Sequence, residues 1–125
     1  MTIALWIAQG LLAAVFLAVG ITKLKDDRET YAAARPPMTT YASRMPVWLF
    51  RTVGVLEVAG ALGVVLPWTT GIAPVLTPVA AAGLALIMVG AAVDHARHGE
   101  SASYPVNAVL FALAAVVALG RLLGW

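Results

Sequence analysis

The chain has 125 residues, 62% of them hydrophobic and 11% charged, with a formal net charge of +2 and a mean hydropathy of +0.91. Soluble domains carry roughly 25% charged residues, so this composition is that of a single integral membrane domain over residues 1–125, with membrane lipid as its surroundings. The few charges cluster in loop segments and leave no footprint for nucleic acid, and the absence of cysteine excludes disulfides, dithiol redox chemistry and thiolate metal sites.

Residues 3–24 form the first apolar run, long enough to cross a bilayer. A signal peptide fits poorly, because no basic residue precedes the run and Lys23 and Lys25 follow it. Gln9, Ala13, Phe16, Gly20 and Lys23 recur at helical spacing and predict a packing seam with a polar residue at each end. Lys23 has a second reading, as an ammonium snorkelling to the interface.

Residues 25–46 form the long polar connection. Asp27 is placed to cap a short helix that runs to Ala34, ahead of Pro36 and Pro37. Tyr31 and Tyr41 suit the headgroup region. The segment reads either as a lid over the bundle or as a plain tether.

The second span, about residues 47–66, carries Glu57 near its middle. Ionising a carboxylate at that depth costs roughly 2.5–3.5 kcal/mol on insertion scales, so it needs a partner, a proton or water. Gly54, Gly60 and Ala61 lie on the same helical stripe, which allows another helix to come close and directs Glu57 to the bundle interior. Gln9, Asn107 or a backbone carbonyl are the partners expected for a Glu57 that fixes register; a ligand or proton site is the functional reading. Arg51 lies about 9 Å along the axis and far round the helix, a poor direct partner. Lys23, near the membrane boundary, reaches Glu57 only marginally.

Pro67-Trp68-Thr69-Thr70-Gly71 predicts an uncharged turn. The third span covers about residues 72–94, with Pro74 and Pro78 suited to its first turns. Ala80, Gly83, Ile87, Gly90 and Asp94 predict its packing seam. The fourth span, about 104–123, places Asn107 and Arg121 on one face. Four spans with one long and two short connections predict an all-α fold, an antiparallel four-helix transmembrane bundle.

Lys23, Lys25, Arg28, Arg35, Arg44, Arg51 and Arg97 lie on the side of the first and third connections, and Arg121 on the other. That asymmetry predicts a multi-pass cell-membrane protein with loops 25–46 and 95–103 cytoplasmic and both termini outside. Trp6, Trp68 and Trp125 then mark the outer boundary, and Trp48 and Tyr104 the inner one.

His95 and His98, with Asp94 or Glu100, are weak metal candidates, since a site needs three or four ligands held by a second shell. The sequence contains no phosphate loop, no CxxCH haem motif, no nucleophile triad and no histidine deep in a span for bis-histidine haem.

The stretches VFLAVGITKL (15–24), RTVGVLEVAGALGVVLP (51–67) and MVGAAVDHARHGE (88–100), followed by the segment 107–121, resemble the DoxX family of small four-span membrane proteins over nearly the whole chain. The resemblance implies accessory roles beside thiosulfate:quinone oxidoreductase, terminal quinol oxidases or oxidative-stress complexes; relatives in the wider superfamily look like assembly factors or cargo receptors. It carries over no catalytic residue.

The sequence therefore predicts a non-catalytic membrane subunit that contacts quinone or quinol, binds no cofactor covalently and docks a redox protein subunit. Its pocket residues are Glu57, Lys23, Arg51, Asp94, Asn107, Gln9 and Phe16, with Gly54, Gly60 and Ala61 lining an apolar slot. Lys23, Arg51, Asp94 and Asn107 are expected to converge as the mouth of that slot. A lipid-binding or assembly protein without a redox role is the alternative, and a small transporter with Glu57 as proton carrier a third. A second copy of the chain is also an admissible partner.

Overall fold

The computed structural model describes residues 2–33, 46–99 and 104–124. Arg35, Pro36, Pro37, Tyr41, Arg44, Glu100 and Trp125 lie outside the described residues. The helices are α1 (Thr2–Lys25), α2 (Arg28–Ala33), α3 (Val47–Gly63), α4 (Leu66–Thr70), α5 (Leu76–Arg97) and α6 (Tyr104–Leu122). The spans run Ile3–Lys25, Val47–Thr70, Leu76–Arg97 and Tyr104–Leu122, each apolar and long enough to cross a membrane. Their faces are apolar nearly all round, and only 28–33% of each apolar window is buried inside the protein. Ile3, Leu86 and Val106 are among the large side chains left outward, where lipid rather than water is their solvent.

Helix α1 packs along α3 and α5 along α6, and the two antiparallel pairs close into a bundle through α1–α6 and α3–α5 contacts. Leu12, Phe16, Ala61, Leu84, Met88 and Val117 fill its centre. Gly20 and Gly54 face each other where α1 crosses α3. A methyl group added at Gly20 would stand 2.9 Å from the Gly54 carbonyl oxygen, and one at Gly54 would stand 2.9 Å from Lys23 Cβ. Gly54, one member of the small-residue stripe predicted around Glu57, therefore sets how close α3 comes to α1.

Helix α3 ends at Gly63 because Pro67 has no N–H to give the Gly63 carbonyl and its ring crowds that position. The chain turns through Val64–Val65 and resumes as α4, so Pro67–Thr70 are helical where a turn was predicted. Gly71, at φ 74°, ends α4 with its N–H donating to the Pro67 carbonyl at 3.1 Å. The buried face of α5 also differs from the prediction. It is Thr77, Ala81, Leu84, Met88, Ala91 and His95, whereas Gly90 is exposed and Asp94 half-buried. Both stripes repeat at helical spacing, and on a helix apolar all round neither is distinguished by sequence.

Candidate functional site

Four of the buried polar side chains form two bonded centres, Lys23 with Glu57 at one end of the bundle and Gln9 with Arg121 at the other. At the α1–α3 end, Lys23 Nζ lies 2.7 Å from Glu57 Oε1, with 6% and 2% of the two side chains exposed. The expected marginal reach was wrong, as was the snorkelling reading, because the Gly20–Gly54 crossing carries the Lys23 stem onto α3 and turns its ammonium inward. Each charge supplies what the other lost in leaving water. Glu57 is thus not partnered by Gln9, Asn107 or a carbonyl.

Arg51 stands apart from Glu57, as its helical angle requires. Its Nη1 donates to the Lys23 and Asp26 carbonyl oxygens, the latter at 2.8 Å, and so caps the C-terminus of α1. Asp27 begins α2 as expected, accepting the Thr30 N–H at 2.7 Å. That backbone hydrogen bond is the first cause holding the Asp27 carboxyl below its ordinary value. Tyr31 corrects the headgroup expectation: it is 1% exposed, meets Phe50 edge-on at 5.3 Å and has the Lys23 ammonium 5.7 Å from its ring centre. The described part of the first connection is therefore a lid over the ion pair. Its sequence signal, one aromatic four residues beyond a capping Asp, was too short to read as a packing element.

At the opposite end, the break before Pro67 frees the Val64 carbonyl, and Gln9 Nε2 donates to it at 2.6 Å. Gln9 Oε1 in turn accepts from Arg121 Nε at 2.7 Å. The Arg121 guanidinium sits 5.0 Å from the Trp6 ring and 4.7 Å from the Trp68 ring, and the residue is 3% exposed. The expectation that Asn107 and Arg121 share one face holds, since both are buried on α6.

The predicted interior slot is filled. Phe16 and Ala61 belong to the packed core, Gly60 is covered by Leu84, and Gly54 by Lys23. Of the expected mouth residues, Lys23 and Arg51 meet through the Arg51 hydrogen bond to the Lys23 carbonyl, and Asp94 and Asn107 lie on α5 and α6. Asp94 is half-exposed, with its backbone carbonyl 2.8 Å from His98 Nδ1. His95 is buried and His98 exposed, and no three His, Asp or Glu gather at ligand spacing among the described residues.

Open space lies instead between α5 and α6. A lateral groove of about 470 Å³ is lined by Met88, Val89, Ala92, Val93 and Ala96 on one side and Tyr104, Asn107, Ala108 and Phe111 on the other. The alanines leave it hollow. Asn107, 8% exposed, is the one predicted pocket residue on it, and its Nδ2 donates to the Met88 carbonyl at 2.8 Å. Sequence reasoning missed the groove because Ala92, Ala96 and Ala108 read equally as packing residues.

The sequence model of the DoxX-like family matches residues 7–117, which takes in both partners of the ion pair, the second and third spans, most of the first and fourth, and the groove. The chain belongs to the DoxX-like family. It is a multi-pass membrane protein, as the four apolar helices and the family together require. The family match includes Gln9, Lys23, Arg51, Glu57, His95 and Asn107 and stops short of Trp6 and Arg121. No curated protein and no solved structure matches the chain.

Proposed function

We propose that this DoxX-like protein is a non-catalytic membrane subunit that takes a quinone or quinol into the α5–α6 groove and docks a redox partner. The groove is the observation that supports this reading. Its volume lies in the range of small-molecule sites, its lining is apolar with few polar groups, and it opens sideways where a bilayer-dissolved tail can enter. Lys23 is bonded to Glu57 and Gln9 to Arg121 within the bundle, and the groove is lined by no acidic, basic or histidine side chain among the described residues. The basic end bearing Lys25 and Arg97 faces the cytoplasm in this reading and offers the partner its docking surface.

The same apolar lining favours a second reading, in which the groove holds a lipid chain and the protein has no redox role. The test is extraction of the protein with native lipid, followed by redox difference spectra and lipid analysis, for wild type and Ala92→Phe. Quinone that accompanies the wild type and is lost when Phe fills the groove supports the first reading. Phospholipid alone, or quinone content unchanged by the substitution, overturns it. Impermeant labelling of cysteines at Thr70 and His98 on intact cells checks the orientation: reaction at position 98 would reverse it.

A further inference from the structure

We infer that the recess filled by Tyr31 at the α1–α3 end is a second binding site, which takes the aromatic head ring of an amphiphile when Tyr31 swings out. Tyr31 holds this site closed as a tethered occupant. The site is separate from the α5–α6 groove and does not depend on it.

Tyr31 is 1% exposed, although it belongs to a helix of only six residues beyond the end of α1. Two neighbours in the recess come from other helices, and each recognises an aromatic ring as such. Phe50 of α3 meets the Tyr31 ring edge-on, with centroids 5.3 Å apart and planes at 79°, so that a positive ring edge faces a negative ring face. Lys23 of α1 brings its ammonium 5.7 Å from the ring centre, within the cation–π range. Both walls are fixed without help from α2. Glu57 holds the Lys23 ammonium at 2.7 Å, and Phe50 is fully buried. The recess therefore stays formed when α2 moves, and it keeps its preference for a ring.

The tether is weak by comparison. Asp26 and Asp27 join α2 to α1 and lie outside both helices. Arg51 bonds to the Lys23 and Asp26 carbonyls, so its hold stops short of α2. Of the α2 side chains described, Glu29 and Thr30 are exposed and Tyr31 is the buried one. A six-residue helix has little stability of its own, so one aromatic anchor closes it and a two-residue hinge lets it open. Lys23 stands two residues from the end of its span, which puts the recess at the membrane boundary. A ring head can lie there with its tail in lipid. A ligand ring has to displace Tyr31, so its apparent affinity is lowered by the fraction of molecules that are open.

The test uses the full chain in lipid nanodiscs without oxygen. Its probes are a decyl hydroquinone, p-cresol (the tyrosine side chain detached) and 4-methylcyclohexanol, a saturated body of the same size. In the wild type, saturating decyl hydroquinone should accelerate amide exchange at Thr30 and Tyr31, because the entering ring displaces the anchor of α2. The acceleration should persist in Ala92→Phe, where the groove is blocked. Binding without any acceleration overturns this site and leaves the groove standing. Tyr31→Ala vacates the recess and removes the opening step, so decyl hydroquinone should bind it at least about tenfold more tightly than it binds the wild type. In the same variant p-cresol should bind about five- to tenfold more tightly than 4-methylcyclohexanol, the factor expected of a cation–π or edge-to-face contact. Equal binding of those two bodies, or equal affinity of decyl hydroquinone for wild type and variant, sinks the proposal. p-Cresol bound as tightly as decyl hydroquinone removes the amphiphile as the source and assigns the ring to a soluble phenol. The exchange measurement on the wild type decides the matter even if Tyr31→Ala does not fold.

Discussion

Lys23 and Glu57 neutralise one another at 2.7 Å beneath the Tyr31 ring, while at the far end of the bundle Arg121 is held between two indole faces and an amide oxygen. The first centre is a single strong contact between opposite charges, and each member is costly without the other. The second spreads its hold over several weaker contacts, two cation–π faces and a hydrogen bond, each worth on the order of 0.5–2 kcal/mol. An all-or-none joint thus ties α1 to α3, and a graded one joins α1, α4 and α6. Their placement has a backbone cause at each end: the Gly20–Gly54 crossing brings the ammonium inward, and the Pro67 break supplies the carbonyl that holds Gln9.

The comparison is broken most directly at Glu57. Glu57→Gln and Glu57→Leu each leave the Lys23 ammonium buried without its counter-ion, and thermal unfolding in detergent should show a loss of about 3–5 kcal/mol. Lys23→Met combined with Glu57→Leu should restore wild-type stability or exceed it. A double variant as unstable as the singles would mean that the centre is more than a balanced pair. If Glu57→Gln alone proved as stable as the wild type, the all-or-none character would be lost.

Arg121→Lys sharpens the other half. It keeps the charge but gives up the guanidinium contacts with the Trp6 and Trp68 rings and the Nε–H aimed at Gln9, so the expected loss is about 1–3 kcal/mol, with altered tryptophan emission. A cost equal to that of Glu57→Gln would erase the distinction between the two ends.

The smallest effect concerns the lid. The Thr30 N–H lowers the Asp27 carboxyl from its ordinary value, so its cap on α2 is complete above the unfolded value of about 4 and is lost as pH falls through the lowered folded value. Amide exchange at Thr30 and Tyr31 should therefore be unchanged at neutral pH and accelerate only in acid beyond correction for the intrinsic rate, and Asp27→Ala should give the accelerated rate at neutral pH. Faster exchange on raising the pH toward neutrality, again after that correction, would reverse the sign of this account.

The four spans, their antiparallel order and the cap at Asp27 were legible in the chain alone, because apolar length and capping chemistry are local properties. So was the inward direction of Glu57, since Gly54 and Gly60 lie on its stripe and a lone carboxylate cannot face lipid. The partner of that carboxylate was not legible. Whether Lys23 snorkels outward or turns in depends on how closely α1 approaches α3, and that distance is a property of two helices together. The inward face of α5 was decided the same way: its two stripes are equal by sequence, and packing against Gly60 and its neighbours chose the one through Leu84 and His95. Tyr31, the Arg121 sandwich and the hollow beside Asn107 likewise exist only where segments distant in the chain meet. In a protein apolar on nearly every face, local sequence determines which segments cross the membrane, and only tertiary contact determines which of their faces look at each other.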